Sequence, residues 1–234
     1  MFKKKMFIAF IPARGGSKQI KNKNIKTFFG KPLIFWTIEE ALKSKFISDI
    51  YLSTDSNKIK DKCKKFKDKI KIIKRPKNLS GDKVTMFSVI KNFYDEYSLK
   101  KKNFNGLILL QPTSPLRNFK DIDKSCQLFN KYNADTLISV SKLKHQYHPD
   151  NIYKKKGSYL KKISKIKKTT LRQKKPTYYS GNGSAIYITK KNKLKKYIVG
   201  GKILSYEMPF IRSIDIDDIY DFKLSELIKK NEIW

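Results

Sequence analysis

The chain reads Met6-Phe7-Ile8-Ala9-Phe10-Ile11-Pro12-Ala13-Arg14-Gly15-Gly16-Ser17-Lys18-Gln19-Ile20-Lys21-Asn22-Lys23-Asn24 near its amino terminus, where an apolar run meets a cationic glycine loop. The apolar run predicts a buried first strand. The two glycines let backbone N–H groups approach an anion, and the loop lysines and arginine add positive charge around it. The spacing fits neither the dinucleotide fingerprint nor the Walker loop. The stretch suits a triphosphate, and a lysine-rich surface turn is the alternative.

Length and charge set the next limits. A chain of 234 residues accommodates one α/β domain, which we expect to span residues 1–234. The net charge of +34 is typical of polyanion binders, yet only five of the 54 cations are arginine and the lysines are spread through every segment. Nucleic-acid readers favour the bidentate geometry of arginine. We therefore expect no nucleic-acid partner, and expect the charge to attract small anionic substrates instead.

Targeting and cysteine signals are weak. The lysines at 3–5 and the apolar run after them imitate a signal peptide, but the run is short and meets Pro12. No stretch approaches the length of a membrane span, so we expect a soluble, cytoplasmic protein. Cys63 and Cys126 lie far apart, without the spacing of a metal site or a redox pair.

Strand and helix patterns alternate along most of the chain. Strands are predicted at 6–11, 49–53, 70–74, 106–110, 137–140, 185–189, 203–208 and 214–216. Helices are predicted at 32–44, 84–97, 121–131 and 219–229, and one more runs from a cap at 54–56 to about residue 66. This order indicates a doubly wound α/β fold with a mostly parallel sheet, whose ligands bind beyond the carboxyl ends of the strands. The glycine loop, Asp55, Arg75 and Gln111 all follow predicted strands.

The pattern breaks between about residues 142 and 180. Residues 151–160 alternate around Gly157 like a β-hairpin, and the flanks are strongly polar. A lone hairpin is marginally stable and has little means of burying itself. Either it is a lysine-rich surface excursion or it contacts a second subunit.

Five further blocks accompany the glycine loop in a fixed order: Arg75-Pro76, Leu109 to Arg117, Arg172-Gln173, Asn182 to Ile188, and Ser213 to Asp217. With these blocks the chain resembles the acylneuraminate cytidylyltransferases over almost its whole length. The resemblance implies a nucleotidyltransferase fold with a small β-rich dimerisation insertion, so we expect a homodimer with partly shared active sites. It also implies condensation of CTP with a nine-carbon, sialic-acid-like sugar acid to give a CMP-sugar and pyrophosphate.

The resemblance assigns roles to individual residues. Lys23 and Arg14 are the expected catalytic residues. The nucleotide-binding set is Ala13, Arg14, Gly15, Ser17, Lys18, Lys23, Asn24, Arg75, Asp82 and Thr85. The sugar-binding set is Gln111, Arg172, Gln173 and Asn182. A structural role for Arg75, as a cap, is an equal alternative.

Asp215-Ile216-Asp217 has its own physical logic. Residues two apart in a strand point to the same side, so both carboxylates can face one hard cation while the isoleucines face the core. Mg²⁺ takes a few carboxylate oxygens together with water and substrate phosphates. We therefore expect Asp215 and Asp217 to hold Mg²⁺ or Mn²⁺, as the resemblance also implies. Capping of the last helix by Asp217 and Asp218 is the alternative.

Several functions stay open on sequence alone. The substrate could be sialic acid, legionaminic acid or another nonulosonic acid, and an α/β nucleotidyltransferase for UTP or another base is excluded only by the resemblance. A basic nucleic-acid-binding protein is the candidate from a different class. Such a protein has no use for two carboxylates that face a cationic cleft.

Overall fold

A computed structural model describes residues 6–97, 99–163 and 175–231. Its centre is a twisted sheet of eight strands in the order β10-β7-β11-β6-β1-β4-β5, with β12 paired to β7. The strands of this sheet are β1 (Phe7–Pro12), β4 (Ile47–Thr54), β5 (Lys71–Lys74), β6 (Gly106–Leu109), β7 (Thr136–Lys142), β10 (Tyr179–Gly181), β11 (Tyr187–Lys190) and β12 (Ile203–Glu207). A short hairpin, β2 (Thr27–Phe28) with β3 (Lys31–Pro32), lies outside it.

Most of the sheet is parallel. Strand β1 pairs in parallel with β4 and β6, and β4 pairs in parallel with β5. Strands β10 and β11 run antiparallel to β7 on one side of it, and β12 runs parallel to β7 on the other side. The expected mostly parallel α/β sheet is therefore confirmed. The carboxyl ends of its parallel strands lie on one side of the sheet, where the glycine loop follows β1.

Five α-helices in the described part of the chain connect and cover the strands: α1 (Leu33–Lys43), α2 (Asn57–Cys63), α3 (Met86–Glu96), α4 (Phe119–Tyr132) and α5 (Ile219–Lys230). Side-chain caps begin four of them: Ser56 for α2, Thr85 for α3, Asn118 for α4 and Asp218 for α5. Asp218 rather than Asp217 caps α5, so the Asp217 side chain is not occupied by capping.

Both faces of the sheet are packed with apolar side chains. Alternate residues of β1 point to opposite faces, so Phe7 and Ala9 join a core with α1, α2 and α4, while Ile8 and Phe10 join one with α3. A third core joins the two ends of the chain. It consists of Ile20, Phe28, Leu33, Leu116, Ile214, Ile216, Phe222 and Ile228.

Residues 143–163 and 175–178, which lie between β7 and β10 in the chain, are outside the main sheet. They include the hairpin β8 (Tyr153–Lys156) and β9 (Tyr159–Lys162), which pair only with each other among the described residues. Gly157 at its turn has φ +59°, a left-handed conformation that glycine adopts without strain. All eight strand residues are exposed.

The strand predicted at residues 214–216 is wrong. These residues follow a 3-10 helix, Phe210–Ser213, and form no ladder; the N–H of Ile216 instead donates to the carbonyl of Thr113 at 2.8 Å. The predicted alternation of burial survives, because Ile214 and Ile216 are buried in the third core. None of the described helices is long and apolar enough to cross a membrane.

Candidate active site

A cavity of about 430 Å³ opens beyond the carboxyl ends of β1, β5 and β6. Five segments that are distant in sequence supply its walls, as expected for the ligand-binding edge of a parallel sheet. Its lining residues are Pro12, Arg14, Ser17, Lys18, Gln19, Lys23, Asn24, Arg75, Met86, Gln111, Pro112, Thr113, Asp215 and Asp217. The predicted cationic loop and the predicted acidic pair thus line the same cavity.

Backbone and side-chain hydrogen bonds fix the loop that follows β1. The N–H of Ala13 donates to the carbonyl of Ser53 at 2.9 Å, which extends the pairing of β1 with β4. The N–H of Gly15 donates to Oδ1 of Asp55 at 2.9 Å. The buried amide of Asn24 donates to the carbonyl of Arg14 at 3.0 Å. The loop is therefore held at both ends, and this places its cations over the cavity.

Lys23 joins the loop to the acidic segment. Its Nζ donates to the carbonyl of Ile216 at 2.6 Å, between the two aspartates in sequence. The packing of Ile20 with Ile214 and Ile216 in the third core supports the same approach. An ammonium has three donors, so Lys23 keeps donors for a substrate oxygen after this bond is made.

Asp215 is the more buried of the two acids. Burial raises the pKa of its carboxyl to about 6, and repulsion by Asp217 adds to the rise, while Thr113 and the charge of Lys23 lower it. Its Oδ1 is buried without a hydrogen-bond partner among the described residues. A buried carboxylate oxygen left in this way is an unsatisfied ligand position.

Gly183 creates the space for Asp215. Its φ is +65°, and a Cβ built on it would lie 2.1 Å from the carboxyl carbon of Asp215. Only glycine allows this approach, because any side chain would overlap the carboxylate. The Asn182-Gly183-Ser184 turn between β10 and β11 therefore leaves the space that the Asp215 carboxylate occupies.

The residues present fit a magnesium ion. Asp217 is exposed at the cavity, and Asp215 lines the same cavity and has a buried Oδ1 without a hydrogen-bond partner among the described residues. No group of three or more His, Cys, Asp or Glu side chains suited to a metal occurs in the described part of the chain. Two carboxylates match the hard-ion chemistry of Mg²⁺, which keeps several waters and takes phosphate oxygens as ligands.

Asp82 pairs with two cations of the loop. Its Oδ1 lies 2.6 Å from Nη1 of Arg14, and its Oδ2 lies 2.6 Å from Nζ of Lys18. Hydrogen bonds from Lys18 and Arg14 lower the pKa of Asp82 below its ordinary value. Asp82 is not one of the residues that line the cavity, although both of its partners are.

Arg75 and Gln111 reach the cavity from the ends of β5 and β6. The buried guanidinium of Arg75 donates to the hydroxyl and carbonyl of Ser53, so it also has the structural role that the sequence left open. Gln111 is fixed from behind by Arg117, whose guanidinium donates to its carbonyl at 3.2 Å. Burial lowers the pKa of Arg117 to about 10.

Other predicted residues lie away from the cavity lining. Asn182 is 3% exposed; its amide oxygen accepts from Ser139 at 2.6 Å and its nitrogen donates to Ser213 at 3.1 Å. Thr85 caps α3. Arg172 and Gln173 lie outside the described residues. Ala13 and Gly15 contribute backbone, and the Gly15 N–H is already bonded to Asp55.

No role was predicted for Met86 or Thr113, which line the cavity. Asp55 was predicted to follow a strand at the ligand-binding edge, but without a role of its own. It accepts a hydrogen bond from the N–H of Gly15 and so positions the glycine loop. Met86 begins α3 and carries no comparable signal.

The match to known families covers nearly the whole chain. Residues 8–232 match the family described as Cytidylyltransferase. The N-acylneuraminate cytidylyltransferase of Streptococcus agalactiae serotype III is 30% identical over 220 residues, which are 92% of this chain and 51% of that protein. The chain thus spans about half the length of that relative. The pseudaminic acid cytidylyltransferase of Campylobacter jejuni is 38% identical over 125 residues, 53% of this chain and 52% of that protein.

A solved structure shares the fold. It is CMP:2-keto-3-deoxy-manno-octonic acid synthetase complexed with CTP, which superposes with a TM-score of 0.73 at 16% identity and covers 97% of this chain and 99% of its own. The chain belongs to the cytidylyltransferase family.

Proposed function

We propose that this protein condenses CTP with a nonulosonic sugar acid, giving a CMP-sugar and pyrophosphate. One observation carries the proposal: the cationic loop after β1 and the acidic pair Asp215 and Asp217 line a single cavity at the carboxyl edge of the sheet. A metal-bound nucleoside triphosphate needs cations for its phosphates and carboxylates for its metal ion in the same cavity. The names of the relatives support cytidine as the base and a sugar acid as the acceptor.

The protein's part in this reaction is positioning and charge neutralisation. The anomeric hydroxyl attacks the α-phosphorus of CTP, and the bond to the bridging oxygen of pyrophosphate breaks. Arg14, Lys18 and Lys23 oppose the negative charge that builds on the phosphates. Lys23 is held by the Ile216 carbonyl before substrate arrives, so little reorganisation is needed at the moment of reaction.

Asp215 and Asp217 are the residues that would hold Mg²⁺ or Mn²⁺. The ion would supply a fixed positive charge that screens the triphosphate and withdraws electrons from the phosphorus. Nζ of Lys23 donates to the carbonyl of Ile216, the residue between the two aspartates, and its positive charge lowers the pKa of Asp215.

The acceptor side of the cavity is less completely defined. Gln111 lines the cavity and can read a hydroxyl or amide group of a sugar acid. A sugar contact by Asn182 would require its amide to leave Ser139 and Ser213. Arg172 suits the sugar carboxylate by its bidentate geometry. Sialic, pseudaminic and legionaminic acids are the acceptors to compare. A cytoplasmic location of the protein is part of the same proposal.

We also propose a homodimer that uses the hairpin β8–β9. Large apolar side chains on this hairpin are open to solvent, with Tyr159 82% and Leu160 66% exposed. Replacing both by lysine should leave the main sheet intact, because the hairpin pairs only with itself among the described residues. Light scattering should show a dimer for the wild type and a monomer for the double variant; an unchanged mass would remove the hairpin from the interface.

A coupled assay tests the function directly. The protein is incubated with CTP, Mg²⁺ and each of the three sugar acids, and both pyrophosphate and the CMP-sugar are quantified; ATP, GTP and UTP are controls. For at least one sugar acid, we expect equal amounts of pyrophosphate and CMP-sugar from CTP and no product from ATP, GTP or UTP. Pyrophosphate release with no CMP-sugar, or equal turnover of all four nucleotides, would contradict the proposal.

A further inference from the structure

Asp82 pairs with two of the cations that we propose bind the triphosphate. Its two carboxylate oxygens each hold one cation of the loop, Arg14 at 2.6 Å and Lys18 at 2.6 Å. Both cations line the cavity that also contains the acidic pair. Carboxylate and phosphate oxygens accept the same charge-assisted hydrogen bonds from guanidinium and ammonium groups. Asp82 and a bound phosphate therefore compete for the same donors.

The ion pairs that Asp82 forms are weak enough for a bound ligand to replace them. The side chains of Asp82 and Lys18 are 44% and 78% exposed, and exposed ion pairs are weak because water screens them. Asp82 has no further side-chain hydrogen bond among the described residues. The Asp82 carboxylate already borders solvent, so it can turn away from the two cations without entering the core.

We propose that Asp82 is an internal competing anion, which occupies Arg14 and Lys18 until a substrate polyphosphate displaces it. This inference rests on the proposed function and adds a specificity-determining residue to it. Because each phosphate ligand must first displace Asp82, the affinity of every such ligand for these two cations is lowered by the same factor. Inorganic phosphate then binds too weakly to fill the site. A triphosphate retains affinity through its further contacts with Lys23 and the metal.

A role for Asp82 in orienting the two cations would change the polyphosphate affinity of an Asp82 variant in the opposite direction. If Asp82 stayed paired in the complex and only oriented the two cations, its removal would weaken polyphosphate binding. If it competes, its removal strengthens binding. The test is isothermal titration calorimetry with inorganic tripolyphosphate, an anion that needs no cytosine or sugar contact.

Asp82→Asn keeps the shape of the side chain and removes its charge. We expect it to tighten tripolyphosphate binding about three- to tenfold at low ionic strength, the size expected from the loss of two exposed ion pairs. Asp61→Asn is the matched control, since Asp61 is also exposed and pairs with Lys64 at 2.8 Å away from the cavity. It should change the affinity less than twofold.

A second pair of variants ties the effect to the contact. In a Lys18→Met background, Asp82→Asn should tighten binding by a clearly smaller factor, because one of the two competed cations is gone. Unchanged or weaker binding by Asp82→Asn in the otherwise wild-type protein would overturn the inference, as would an equal effect of Asp61→Asn.

The two proposals fail separately. If CMP-sugar forms while Asp82→Asn leaves tripolyphosphate affinity unchanged, the competing-anion role is wrong and the cytidylyltransferase function stands. If Asp82→Asn tightens tripolyphosphate binding while no sugar acid yields a CMP-sugar, the transfer function is wrong and the competition for the loop cations stands.

Discussion

Replacing Asp215 by asparagine should stabilise the metal-free protein while it removes a proposed metal ligand. The carboxyl of Asp215 has its pKa raised from 3.8 to about 6, first by burial and then by the charge of Asp217. The folded state therefore disfavours the ionised form that prevails at neutral pH. The difference corresponds to about 3 kcal/mol of folding free energy at pH 7.5.

The sign follows from the direction of the shift. The folded protein holds the Asp215 proton more tightly than the unfolded chain, so the contribution to stability is complete below the unfolded pKa and is lost as pH rises through about 6. The stability gain from Asp215→Asn should thus be about 3 kcal/mol at pH 7.5 and roughly half of that at pH 5.

Urea denaturation in the presence of a chelator measures this difference. Asp68→Asn is the control, because it removes one negative charge at an exposed position and Asp68 is not among the groups that shift the pKa of Asp215. In a chain of net charge +34, loss of any acid adds general repulsion, and the control subtracts it. Equal stability of wild type and Asp215→Asn at pH 7.5, or a gain independent of pH, would refute the reasoning.

Three further predictions address the loops around the cavity. Gly183→Ala should cost at least about 2 kcal/mol more in unfolding free energy than Gly157→Ala, because both glycines have φ near +60° but only at Gly183 does a Cβ meet Asp215; equal costs would contradict the crowding. Asp55→Ala should weaken CTP binding about fivefold through loss of the Gly15 N–H acceptor, with Asp55→Asn closer to wild type because it keeps an oxygen; identical calorimetric affinities for the two variants would exclude this role. The dissociation constant for CTP should rise steadily between low and high salt, because the loop cations are partly exposed; a salt-independent constant would argue against the cationic loop as the triphosphate site.

Signals carried by short stretches of sequence predicted most of the fold and many of the residues that line the cavity. The apolar run before Pro12, the polar caps of the helices and the residues after each strand are all readable within a few positions of the chain. The strand at 214–216 failed because its partner is the loop carbonyl of Thr113, so an alternating pattern formed without a ladder. Buried alternation alone does not separate a strand from an extended segment.

Long-range pairings were not predictable in the same way. Asp82 meets Arg14 across 68 positions of sequence, and its short carboxylate gives no local sign of that partner. The burial of Asn182 depends on Ser139 and Ser213, which belong to two other segments. A polar residue in a glycine turn fits a ligand contact and an internal hydrogen bond equally well from sequence.

The central claim is that the cationic loop and the acidic pair grip one metal-bound nucleotide. Calorimetric titration of CTP with and without Mg²⁺ tests it in the wild type and in Asp217→Ala. We expect Mg²⁺ to strengthen CTP binding at least about tenfold in the wild type, a difference of about 1.4 kcal/mol. Asp217→Ala should lose this strengthening and keep the Mg²⁺-free affinity. An undiminished effect of Mg²⁺ in Asp217→Ala would contradict the account.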